Sequence, residues 1–94
     1  MELSKIREEI DKIDYAILEL LVKRFKLGNE VALIKHKEGK QLKDVAREES
    51  LFLDRTNKLK ELGYSDELFI RKFFKVIIDK LLELQEKYLK DNVK

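Results

Sequence analysis

The chain has 94 residues, 44% hydrophobic and 43% charged, which is the size and mixture of one amphipathic globular domain. Lysine and arginine number 21 against 19 aspartate and glutamate, a net charge of +2, which argues against a nucleic-acid-binding arm or a polybasic membrane anchor, since each needs a clustered excess of one sign. The lack of cysteine excludes disulfides and thiolate metal sites, and no apolar run nears the ~20 residues that span a bilayer. Met1-Glu2-Leu3-Ser4-Lys5 carries no apolar stretch of the secretory kind, so a soluble chain in the cytoplasm is expected. Proline is absent and glycine stands only at Gly28, Gly39 and Gly63, a composition that favours long helices.

Leu3, Ile6, Ile10, Ile13, Ile17, Leu20, Leu27, Val31 and Ile34 recur at steps of three and four, the stripe of one helical face. With Ser4 as N-cap, early acids at Glu8, Glu9 and Asp11, and Gly39 at the C′ position, the first helix is predicted over about 5–38. Asp44 caps a second over about 45–62, stopped by Gly63, with Val45, Leu51, Phe52, Leu59 and Leu62 as its apolar positions. Ser65 or Asp66 caps a third over about 66–90, beyond which Asp91 to Lys94 fray. One all-α domain over residues 1–94 results.

A 34-residue helix is roughly 50 Å long, whereas a compact domain of this size is about 32 Å across. The first helix therefore outruns its own globule while its stripe continues to Ile34. A second copy of the chain, pairing long helix with long helix, is the economical cover.

Polar residues interrupt these faces. Arg24 falls on the stripe of the first helix, where a buried guanidinium needs a partner. Its stem can pack while its head snorkels or meets a carboxylate. Alternatively, a bound anion serves both Arg24 and Lys35, which returns to the same side three turns later. Gln85 sits among Ile78, Leu81, Leu82 and Tyr88 and must find hydrogen bonds, structural or functional. Glu48 borders the apolar face of the second helix beside Arg47 and Asp44, a group that also reads as an ordinary acidic first turn with a solvated arginine. Arg7 lies 17 residues before Arg24, roughly 25 Å along the axis, so the two reach one small ligand only from different chains. His36 alone makes no metal site, the basic run Lys35–Lys43 reads as a solvated loop, and no nucleophile motif or phosphate loop is present.

The segments Ile6-Arg7-Glu8-Glu9-Ile10-Asp11-Lys12-Ile13-Asp14, Leu20-Leu21-Val22-Lys23-Arg24, Val31-Ala32-Leu33-Ile34-Lys35, Asp44-Val45-Ala46-Arg47-Glu48 and Phe74-Lys75-Val76-Ile77-Ile78, followed by Gln85, stand in order at compatible spacing. In these the chain resembles the all-helical class of chorismate mutases over nearly its whole length. The resemblance implies a three-helix protomer in an intertwined homodimer. It also implies rearrangement of chorismate to prephenate, the step committing the shikimate route to phenylalanine and tyrosine, with no cofactor and no metal.

Carried over by position, Arg24 and the other protomer's Arg7 would bind the two carboxylates of the dianionic substrate. Lys35 and Gln85 would donate to the ether oxygen of the breaking C–O bond. Glu48 would accept from the ring hydroxyl, Asp44 and Arg47 would shape that end of the pocket, and Val31, Ile77 and Leu81 would wall the ring. Leu81 departs from the pattern, since these enzymes often carry a small polar residue four positions before the glutamine. Two other readings share the helical architecture: an isochorismate-pyruvate lyase, which generally lacks the glutamate matching Glu48, and a non-catalytic helical dimerisation module. Neither a nucleic acid nor a membrane is expected as a partner.

Overall fold

The structure, a computed structural model, describes residues 2–93 as three helices: α1 (Leu3–Lys37), α2 (Val45–Glu61) and α3 (Glu67–Asn92). No strand occurs among the described residues.

α1 starts two residues before the expected point. Glu2, not Ser4, is the N-cap; its side chain makes no capping bond, and its carbonyl accepts from the amides of Lys5 and Ile6. The first turn then holds no acid, and Glu8, Glu9 and Asp11 lie too far in for the dipole role assigned to them. Nothing in Met1-Glu2-Leu3 opposes another half-turn, and a weak cap leaves the boundary to backbone bonding. The C-terminus of α1, both ends of α2 and the start of α3 follow the sequence signals. Gly39 (φ +69°) and Gly63 (φ +100°) take the left-handed conformation just beyond α1 and α2. Asp44 accepts from Arg47 N–H at 3.0 Å, and Asp66, rather than Ser65, accepts from Phe69 N–H at 3.0 Å. α3 continues through Asp91 and Asn92, where fraying was expected. The Asn92 amide donates to the Tyr88 carbonyl at 2.8 Å and closes the last turn. Lys94 lies outside the described residues.

α1 and α2 both pack along α3, which is the shared element. Leu51 and Phe52 of α2 meet Ile78 of α3 in a small core flanked by Phe74 and Leu82, while Gly28 and Ala32 are the buried residues of α1. Arg71 of α3 holds α2 by a fork on Glu49 (2.6 and 3.0 Å) and a position over the Phe52 ring, 5.3 Å from its centre, while bonds to Glu67 at 3.1 and 3.2 Å brace it within α3. That fork holds the Glu49 carboxyl below its ordinary pKa and raises that of Arg71.

The chain is elongated, 56 × 27 × 16 Å, with a radius of gyration of 16.7 Å against about 12 Å for a compact domain of this length. Every residue from 2 to 20 is exposed. Leu3, Ile6, Ile10, Ile13, Ile17 and Leu20 lie 39–63% open, so the first half of α1 carries its apolar stripe clear of the rest of the chain. No helix among the described residues is long and apolar enough to cross a membrane.

Candidate active site

A cavity of about 250 Å³ opens between the second half of α1, the loop before α2, the first turns of α2 and the second half of α3. Helical register brings its polar groups together. Positions 24, 28, 31 and 35 share one face of α1, positions 48 and 51 follow the Asp44 cap on α2, and 78, 81, 82 and 85 share one face of α3. Arg24, Lys35, Asp44, Arg47, Glu48, Leu81 and Gln85, all singled out in the sequence, line this one cavity. Arg7 does not; it stands on the exposed half of α1.

Gln85 is 3% exposed, and its amide nitrogen donates to the Gly28 carbonyl at 2.8 Å. Lys35 donates from Nζ to the Leu42 carbonyl at 2.8 Å, which spends one of its three N–H groups and leaves two for the cavity. Glu48 has a side chain only 18% exposed and is paired with Lys43, whose Nζ lies 3.0 and 3.3 Å from the two carboxylate oxygens. Asp44 is committed to capping α2.

Arg24 differs from these. Among the described residues no carboxylate lies within 4 Å of it. Burial, and then the positive charges of Arg55 and Arg47, push its pKa down. A partly buried guanidinium beside two others, with no counter-charge, favours an anion that supplies one.

The apolar wall is Leu27, Val31, Leu42, Leu51, Ile78, Leu81 and Leu82. Ile77, expected there, does not line the cavity; Ile78 takes its place. Seven residues before Gln85 is nearly two full turns, whereas eight rotates the side chain about 80° away. Sequence reasoning also missed Gly28, Lys43 and Arg55. Gly28 was visible as a glycine inside a helical stripe, and Arg55 as a residue seven beyond Glu48. The Lys43 partnership depends on how the loop turns into α2. His36 is exposed, and no group of three His, Asp or Glu among the described residues could hold a metal.

Guanidinium, ammonium and amide donors thus converge on an apolar-walled cavity in an all-helical chain, chemistry that suits a small anion with an apolar body. The chain belongs to the type II chorismate mutase family, whose sequence model matches residues 6–86. It is 35% identical over 91 residues to the bifunctional chorismate mutase/prephenate dehydratase of Buchnera aphidicola subsp. Schizaphis graminum (strain Sg), a match covering 94% of this chain and 23% of that protein. It is 36% identical over 67 residues to the T-protein of Enterobacter agglomerans, covering 71% of this chain and 18% of that one. The chain thus spans less than a quarter of the length of these relatives. No solved structure matches it.

Proposed function

We propose that the chain is a chorismate mutase, converting chorismate to prephenate in aromatic amino acid biosynthesis, and that it works as an intertwined homodimer. One observation carries the reading: family membership coincides with a cavity that collects Arg24, Lys35, Glu48 and Gln85 around uncompensated positive charge.

The reaction is an intramolecular [3,3] shift, in which a C–O bond breaks as a C–C bond forms within one molecule. It needs no nucleophile and no proton transfer. What a protein contributes is the chair-like reactive conformer and donors placed where charge develops. Arg24 would fork onto one substrate carboxylate. The free N–H groups of Lys35 and Gln85 would meet the ether oxygen, which gains negative charge as its bond to carbon breaks. Glu48 would accept from the ring hydroxyl, exchanging its bond with Lys43 for one to substrate. Val31, Ile78 and Leu81 would flank the ring.

The second carboxylate needs a further cation, and Arg7 is the candidate. It stands roughly 25 Å from Arg24 along one rigid helix, so it would serve a partner's cavity. The exposed stripe on residues 3–20 supports the dimer that this requires.

Two measurements test the reading. Purified protein should consume chorismate, followed in the ultraviolet, with prephenate as product. Pyruvate from isochorismate would instead indicate the lyase, and inertness toward both the non-catalytic module. Sedimentation at micromolar concentration should give about twice the 11.3 kDa chain mass; a fully active monomer would end the dimer proposal.

A further inference from the structure

Gly28 is the one glycine inside a helix among the described residues, and its backbone has no positive φ that would call for glycine. Glycine within a helix is less stable than alanine there. The compensation is space. A Cβ on Gly28 would collide with Cδ1 of Leu81, approach Leu81 Cγ to 3.2 Å and reach 3.5 Å from the Gln85 amide nitrogen. Leu81 therefore rests directly on the bare α1 backbone, and α3 lies close enough for Gln85, one turn further on, to donate to the Gly28 carbonyl.

That bond fixes more than position. A carbonyl only accepts, so the Gln85 side chain must face it with its NH2 group; turned over, it would set two acceptor oxygens together. One N–H is spent on Gly28 and the second remains for the cavity that Gln85 lines.

We propose that Gly28 is a positioning residue for the rearrangement: its missing Cβ seats Leu81, and its carbonyl locks the Gln85 amide so that an N–H is held ready for the substrate's ether oxygen. The proposal rests on the mutase reading. It also gives Leu81 a reason to occupy a position where the family often has a small polar residue: Leu81 and Gly28 are a matched pair.

The test is a four-member set: the parent protein, Gly28→Ala, Leu81→Ala and the double variant, each assayed for kcat, KM and Tm. Gly28→Ala should lower kcat at least ~10-fold with KM nearly unchanged, because a misaimed donor costs the transition state more than the bound substrate. Its Tm should fall. In the Leu81→Ala background the same substitution has room, so it should raise Tm through better helix propensity and leave kcat no lower than in Leu81→Ala alone. Parent-like kcat in Gly28→Ala, or losses that simply add in the double variant, would overturn the proposal. If Gly28→Ala does not fold, the double variant must fold and turn over, and its failure to do so would equally overturn it. A parent protein inert toward chorismate would instead sink the mutase reading, while the reversal in Tm would still decide whether Gly28 is the seat of Leu81.

Discussion

Arg24→Met should cost turnover at least ~10²–10³-fold and yet raise the melting temperature of the unliganded protein. Burial, Arg55 and Arg47 all lower the pKa of Arg24 in the folded chain, so the charged form is less favourable there than in the unfolded one. For a base with a lowered folded pKa, the penalty is full below that pKa and is relieved as pH rises from it to the unfolded value. Arginine stays protonated at any working pH, so the penalty holds throughout and no pH window removes it. Methionine keeps the packing of the stem without the charge. On the proposed reading the substrate's carboxylates would supply the missing counter-charge, so chorismate should raise the Tm of the parent by mass action and leave the variant unmoved. Calorimetry with and without ligand reads both effects. A variant that is active, or less stable than the parent, would show that Arg24 is a structural cation.

Gln85→Glu should be nearly inactive at about pH 7–8 and recover as pH falls, with a loss of ~10²–10³-fold at the upper end. An ionised carboxylate cannot donate, and at this position it would oppose both the ether oxygen and the Gly28 carbonyl that now accepts from Gln85. The neutral acid has nearly the same shape and donates. Burial of a site only 3% exposed and the facing carbonyl favour the neutral form, raising the folded pKa of the new carboxyl, while Lys35 across the cavity opposes the rise. With a raised folded pKa, the variant's stability is intact below the unfolded pKa and lost as pH rises through the folded one. Activity and Tm should therefore decline together as pH rises. A flat, parent-like pH-rate profile would remove Gln85 from the reacting centre.

The elements that sequence placed well are those set by local chemistry. Stripes at steps of three and four predict three helices, and Asp44, Gly39 and Gly63 mark ends that the structure has. Arg24, Lys35 and Gln85 were conspicuous because each interrupts an apolar face, and register alone carries such residues to a common side. The misses required knowing how the helices turn toward one another. Ile77 and Ile78 both belong to the apolar face of α3, and the side on which Gln85 meets α1 decides that Ile78, in register with it, lines the cavity. Nothing adjacent to Gly28 in the sequence reveals that Leu81, 53 positions later, lies on it. The Lys43–Glu48 pair depends on the path of the loop after Gly39. Ser4 is not the cap because the helix runs past it, its first backbone bonds going from Lys5 and Ile6 to the Glu2 carbonyl.

Arg7 is legible only as a distance: it stands too far along α1 to reach the cavity of its own chain, so any role it has belongs to a second one. Mixing Arg7→Ala chains with Arg24→Ala chains tests that claim most directly. Each alone forms dimers in which both sites lack one cation, and each should be nearly inert. In a heterodimer one site regains both arginines and the other loses both. An equimolar random mixture, half heterodimers by pairing statistics, should thus recover about one quarter of parental activity. No recovery, although native mass spectrometry shows that heterodimers have formed, or an Arg7→Ala protein that is fully active by itself, would contradict a site shared between two chains.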